Sequence, residues 1–354
     1  MDIYSTTRLN RLVQSLKRPQ TALLTAFFPE LETSDTEDIK FDVANKRRRI
    51  APFVHPLREG RLVEDEGYVT NSFTPAYTKD KRYHDPAKAL KRRAGERIGG
   101  DSAPMDRHQA NLSISTADQI EMLVRRKEVM AGEVLATGRV TVKGDGYPTV
   151  VVDFGRKASH TVVLTGANRW GQQGVKPVEM LEDWTALILQ DSGATIRDVV
   201  MDTKAWRLFR EDEEVKKHLD TRPLSASTDA IVALQFAQLG LTFKGELNGL
   251  RFWIYQDWYV DETGEEDENG IPKLDEKPIL PEFTVILASP DVQGVQHHGA
   301  IMDLDAGLQP LEFFSKSWTK PDPSRRILMM QSAPLVVPYR PDATFAATVS
   351  DGEG

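Results

Sequence analysis

Residues 51–110 carry few large apolar side chains, and this limits every architecture open to the chain. The run APFVHPLREGRLVEDEGYVTNSFTPAYTKDKRYHDP holds strand-like pieces at Arg61–Val63 and Tyr68–Phe73 and is interrupted by Pro at four places. Proline cannot donate to a sheet ladder, and it pushes the residue before it into extended backbone. So long a stretch without a core of its own is uncommon inside a compact domain and usually works as an arm or lid. It reads as an extended loop leaving the body of the protein. Lys79 to Arg107 is also locally basic, with nine Lys or Arg against five Asp or Glu.

The first 50 residues add a second piece of the same kind. One modest amphipathic segment (Leu9, Leu12, Val13, Leu16) precedes TALLTAFFPELETSDTEDIKF, which Pro and acidic residues interrupt before a core could form. This is an arm that needs a partner surface. The basic run Lys46–Arg49 resembles a nuclear address or a nucleic-acid patch. Four residues carry little information, however, and an ion-pair role between subunits explains them as well.

Regular structure begins after the loop. Thr116 and Gln119 have capping-box spacing. From there Ile120, Leu123, Val124, Met130, Ala131, Val134 and Leu135 recur at helical period up to Gly138, a stop signal. About 22 residues at 1.5 Å each make a rod of roughly 33 Å. VTVKG and PTVVVDFG follow as strands across a Gly-Asp-Gly turn. A second helix is expected over Pro177–Ser192, and VVMDTKAWRLFREDEEVKKHLD reads as a strand leading into a helix. FKGELNGLRFWIYQDWYV reads as a hairpin across Asn-Gly, the strongest short turn signal. The tail RRILMMQSAPLVVPYRPDATFAATVS reads as two more strands. The fold class is α+β, without internal repeat or heptads.

No catalytic constellation is visible. GxxxxGK[ST], GxGxxG, HExxH and GxSxG are all absent. The sequence has no Cys, which excludes disulfides, thiolate nucleophiles and Cys-ligated zinc together. His297 and His298 are adjacent, and neighbours on a strand point to opposite faces, so a structural role outweighs a shared metal. Asp303 and Asp305 could share a strand face around a cation. A turn with polar caps before Gly307 is the simpler reading. Glu265, Asp267, Asn269, Gly270 and Glu276 fall at positions 1, 3, 5, 6 and 12 of a calcium loop. Pro272 at position 8 and the lack of flanking helices favour a solvated acidic hairpin loop instead. The Trp residues (Trp170, Trp184, Trp206, Trp253, Trp258, Trp318) are scattered, so packing is their default. No cofactor is expected. A net charge of −8 argues against general coating of nucleic acid, which needs an excess of Lys and Arg. No apolar run approaches the roughly 20 residues of a membrane span, and the start lacks a secretory signal, so synthesis in the cytoplasm is expected.

An arm, an extended loop, a long rod and a hairpin-rich body leave much surface unsatisfied in a single copy. Exchange of segments between neighbours would satisfy it, and heterologous contacts repeated around rings give closed assemblies. Five blocks of sequence then resemble the major capsid proteins of lambda-like phages, within the wider HK97-fold group. They are SFTPAYTK (Ser72–Lys79), VDFGR (Val152–Arg156) with Trp170 after it, DTKAWRLFREDEEVKKHLDTR (Asp202–Arg222), GAIMDLDA (Gly299–Ala306) and MMQSAPLVVPYRPD (Met329–Asp342). They keep the family's order across about residues 50–349, while the first 50 residues match loosely.

The resemblance implies an HK97-type capsid fold. Residues 1–51 would be the N-terminal arm, 52–108 the E-loop lying across a neighbour, and 109–189 the peripheral domain with spine helix 116–138. Residues 190–310 would form the axial domain, and 311–354 would return to the peripheral domain. It implies pentamers and hexamers of the chain, a separate scaffolding protein, a portal protein, a decoration protein and enclosed double-stranded DNA read without sequence specificity. No membrane partner is implied. Phe73, Thr74, Pro75, Tyr77, Lys91, Arg92, Arg93, Trp206 and Arg210 are the intersubunit contact candidates. The acidic loop 261–282, with nine acidic residues and two Lys, is longer than the family pattern and opposite in sign to 79–107. On facing subunits the two would guide docking. An encapsulin-like protein shell and a monomeric calcium-binding protein are the alternatives.

Overall fold

The computed structural model describes residues 21–36, 38–44, 51, 53–55, 57–59, 68–75, 77–85, 90–91, 103–144, 147–221, 239–266, 272–322 and 324–352. The expected strand Arg61–Val63, the run Lys46–Arg49, and Arg92, Arg93, Asp267 and Asn269 lie outside them.

The organising element is a mixed six-stranded sheet in the order β7-β18-β13-β8-β10-β9. Its strands are Thr161–Val163 (β7), Phe345–Thr348 (β18), Thr284–Ala288 (β13), Asp198–Met201 (β8), Leu250–Ile254 (β10) and Thr242–Leu247 (β9). Successive residues of a strand point to opposite faces, and both faces are covered. Val200, Trp253, Ile286 and Ala346 enter one apolar cluster. Val199, Met201, Phe252, Ile254, Val285, Leu287 and Phe345 enter the other. This explains near-continuous apolar runs such as TVILA, where burial on one face alone would give alternation. The Asn-Gly hairpin forms as expected between β9 and β10, with Asn248 and Gly249 both at positive φ, 50° and 79°.

A single long helix, α2 (Pro104–Thr137), lies against the first face. Its 34 residues make a rod of about 51 Å. It begins twelve residues before the expected Thr116. Pro104 at the first position and Asp106 in the first turn are its start signals. Thr116 and Gln119 are not a cap but buried mid-helix residues: the Thr116 hydroxyl donates to Leu112 O at 2.9 Å, and Gln119 Nε2 to Asp80 O at 3.1 Å. Gly138 ends the helix as anticipated, at φ 74°. The Arg156 guanidinium donates to the last carbonyls, of Leu135 at 2.7 Å and Ala136 at 2.9 Å.

The second face is covered by α3 (Pro177–Asp191), α4 (Thr203–Glu211) and α5 (Glu213–His218). Strand β8 thus leads into two short helices where one was expected. The Asp202 and Asp212 carboxylates accept the first N–H groups of α4 and α5 and divide them. Trp170, Trp184, Trp206, Phe209, Phe252 and Phe345 pack there at centroid separations of 4.8 to 6.3 Å. The core position of these three tryptophans agrees with their expected packing role.

Residues 22–44 belong to this body. The helix α1 (Ala22–Phe27) is buried against α2, with Leu23, Phe27 and Phe28 inaccessible. After it β1 (Glu30–Thr33) pairs in parallel with β14 (Gly294–His298), which pairs with β17 (Pro334–Pro338). The described part of the expected arm therefore finds its partner surface in its own chain. The ribbon β2–β3 (Ile39–Ala44, Tyr68–Phe73) joins this part to the extended loop. Strands β5 and β6 (Arg139–Gly144, Tyr147–Asp153) form the second expected hairpin. The tail folds as three strands, not two: β16 (Arg325–Ser332), β17 and β18, because Ala333 and the bend at Pro341–Ala343 each separate a strand.

Candidate functional site

Three of the five sequence blocks meet where the extended loop leaves the body. Strand β4 (Thr78–His84) runs antiparallel to β16, which pairs on its other edge with β15 (Phe314–Lys320). Just before β4, the Tyr77 hydroxyl donates to Ala300 O at 2.6 Å and accepts from Met302 N. Pro75 is buried against Gly299, where a Cβ would come within 2.7 Å of the proline ring, so only glycine fits. Gly299 N donates to Ala333 O at 2.9 Å, and the Thr78 hydroxyl to Ser332 O at 3.0 Å. Residues 72–79, 299–306 and 329–342 thus form one junction.

The same junction settles Asp303 and Asp305. They do not share a strand face. Asp303 caps a single 3-10 turn that ends at Gly307, φ 66°. Its carboxylate receives Lys316 Nζ at 2.6 Å and Gln331 Nε2 at 2.8 Å. Those contacts hold the Asp303 carboxyl below the usual carboxylate range despite its desolvation. A lysine occupies the place a cation would take. Among the described residues no group of three His, Cys, Asp or Glu is arranged to hold a metal ion.

Of the calcium-loop residues, Asp267, Asn269 and Gly270 lie outside the described residues, and the register describes the flanks. Strands β11 (Trp258–Glu266) and β12 (Pro272–Pro278) form an antiparallel ribbon, and Glu276 lies opposite Val260, not Glu265. Five residues along a strand separate positions 1 and 12 by about 16 Å. The histidine pair also divides by face. The His297 ring lies 3.0 Å from the Tyr339 hydroxyl and is kept below the ordinary histidine pKa mainly by burial, while His298 is wholly buried.

Of the expected contact residues, Phe73 packs at the edge of the first core cluster and the Thr74 hydroxyl donates to Asp38. Pro75 and Tyr77 sit in the junction, and Trp206 is buried among aromatics. Lys91 and Arg210 are exposed.

Sequence reasoning passed over Glu128 and Lys127. Both sit on the buried stripe of α2 between Val124 and Ala131, at the i+3 and i+4 positions that mark it. Glu128 accepts the N–H groups of Leu23 at 2.8 Å and Leu24 at 3.0 Å and the Tyr255 hydroxyl at 2.9 Å. Lys127 donates to Glu312 and Gln296, each at 2.9 Å. Also unforeseen were apolar side chains that stand exposed among the described residues: Phe53 is fully exposed, Leu57 90% exposed and Leu90 71% exposed. No helix of the described residues is long and apolar enough to cross a membrane.

The fold of the chain is similar to that of solved capsid proteins. A protein assigned as the capsid protein of a prophage of Escherichia coli CFT073 superposes with a TM-score of 0.75 over 99% of this chain and 100% of its own, at 22% identity. The capsid of Ralstonia phage GP4 gives a TM-score of 0.53 over 96% and 94% of the two chains, at 8% identity. The fold is the HK97-type capsid fold.

The chain matches the family described as phage major capsid protein E over residues 5–349, and it belongs to that family. It is 28% identical over 346 residues to the major capsid protein of Escherichia phage N15 and 27% identical to that of Escherichia phage lambda, covering 97% of this chain and 98% of each relative. It is a structural protein of the phage capsid shell.

Proposed function

We propose that this subunit assembles with a separate scaffolding protein into an icosahedral procapsid of pentamers and hexamers. The procapsid expands and encloses double-stranded DNA, with a portal protein at one vertex and a decoration protein on the outside, and assembly takes place in the host cytoplasm. In this reading residues 52–108 form the E-loop lying across a neighbour, its last five residues being the start of α2, and α2 is the spine of the peripheral domain. The axial domain spans about 190–310, and the chain returns to the peripheral domain from about 311. Among the described contact candidates, Thr74, Lys91 and Arg210 are exposed.

One observation carries the proposal. The loop is tied to its own body at Tyr77 and β4, whereas Phe53 and Leu57 are exposed among the described residues. Burying one such side chain is worth about 1.5–3 kcal/mol, and a neighbouring copy is the surface that would bury it. Negative-stain microscopy of the protein expressed alone and with candidate scaffold tests the reading. Shells, tubes or rings are expected. Monomers under both conditions would overturn it. Replacing Phe53 and Leu57 by Ser should abolish particles while leaving the melting temperature unchanged.

A further inference from the structure

We propose that the outer face of the β11–β12 ribbon docks into the groove at the start of α2 on a second copy of this chain, in a head-to-tail contact. Residues directly opposite in the ribbon share a face, so Trp258, Val260, Leu274 and Glu276 lie on one side. Tyr259 and Asp261 lie on the other. That second side faces the body: Tyr259 packs on the core and Asp261 lies 3.8 Å from Arg126. The first side carries Trp258 46% exposed, Val260 54% and Leu274 66%, an apolar strip on an acidic ribbon.

The groove has the complementary character. It holds about 380 Å³ between the start of α2 and the ends of β4 and β16, lined by His84, Leu90, Met105, His108 and Arg325 among others. Its apolar walls include Leu90 and the 65% exposed Met105, and its rim carries Arg325, Arg326 and the adjacent Lys91. An apolar strip among carboxylates thus meets an apolar groove among cations, the complementarity that selects partner and register.

The contact cannot close within one copy. The ribbon is fixed to α2 at Arg125, whose Nη1 donates to Trp258 O at 3.1 Å, whereas the groove begins at Pro104 and Met105. Twenty helical residues separate the two by about 30 Å. A patch and its complement held apart on a rigid rod satisfy each other only between copies, and such heterologous contacts close into rings. The inference deepens the shell-forming reading and rests on it.

The test uses two full-length variants with changes at exposed positions, Val260→Asp with Leu274→Asp on the ribbon and Leu90→Asp with Met105→Asp in the groove. Circular dichroism and melting temperature should match those of the unaltered chain. Each variant alone should give no rings or shells under conditions where the unaltered chain assembles. Mixed in equal amounts, the two should form discrete dimers by analytical ultracentrifugation, because one intact ribbon then meets one intact groove. Assembly of either variant like the unaltered chain, or a mixture without dimers, would overturn the contact but leave the shell reading standing. An unaltered chain that stays monomeric with and without scaffold would overturn both.

Discussion

The carboxylate of Glu128, in the middle of α2, accepts the backbone N–H of Leu23 at 2.8 Å, across 105 residues of sequence. Thr21, at the head of α1, makes no side-chain cap, so Glu128 supplies the cap from another element. Replacing Glu128 by Ala would leave two buried N–H groups and the Tyr255 hydroxyl unsatisfied. The expected loss is on the order of 3 kcal/mol in a denaturant titration, against about 1 kcal/mol for Tyr255→Phe. Equal small losses would show that α1 is not held here.

Burial, the largest influence on Glu128, raises its pKa above the ordinary 4.5, against the N–H donors that lower it. A raised folded-state pKa means the folded protein holds this proton to higher pH than the unfolded chain. The associated stability is complete below about 4.5 and lost as pH rises through the raised value. Comparing melting temperature against pH for the protein and for Glu128→Gln should show this downward contribution above pH 4.5 in the first alone. Parallel curves would contradict it.

Gly294 opens β14 beneath the end of α1, where an added Cβ would stand 2.2 Å from Phe27 O and 2.3 Å from the Phe28 ring. The backbone oxygen cannot yield cheaply. Gly294→Ala should cost about 3 kcal/mol and increase hydrogen exchange in residues 22–28 before that in the central sheet.

Arg156 closes the other end of α2. Burial lowers its pKa to about 10, which leaves it charged at neutral pH against the exposed carbonyls of the helix end. Arg156→Ala should cost about 2 kcal/mol, with lysine restoring only part because it lacks the planar fork. Full rescue by lysine, measured by thermal melting, would argue that charge alone matters.

Asp198 and Arg251 pair across β8 and β10 at 2.7–2.8 Å, and Trp253 Nε1 donates to the same carboxylate at 2.8 Å. Arg251→Met alone strands a buried carboxylate and should cost about 3–5 kcal/mol. Combining it with Asp198→Asn should cost less than the single change. An additive double variant would show that the pair is not coupled.

The sequence made several strands of the central sheet, the Asn-Gly hairpin and the end of α2 legible, because each rests on local period or turn chemistry, whereas the clustering of Trp170, Trp184 and Trp206 does not show in their scattered positions. It misled where a local signal had a long-range use. Thr116 and Gln119 have the spacing of a cap, yet Gln119 serves Asp80 on the loop strand. The ribbon register, invisible in one strand read alone, places Glu276 opposite Val260. Glu128 stood in plain view on the apolar stripe, but its partners come from residues 23, 24 and 255. The exposed Phe53 and Leu57 became informative only once the rest of the body was seen to be filled.

Strand β1 lies beside β14, and β14 beside β17. The ribosome therefore delivers β1, residues 30–33, long before the strand it pairs with exists. At roughly 5–20 residues per second, about 300 residues take some 15–60 s to follow. The helix that carries Leu23 and Phe27 waits about 100 residues, some 5–20 s, for α2 and its Glu128 cap, whereas β1 waits most of the interval for β14. Strand β1 is thus among the last parts to settle, and newly made subunits pass through an interval in which its edge has no partner strand.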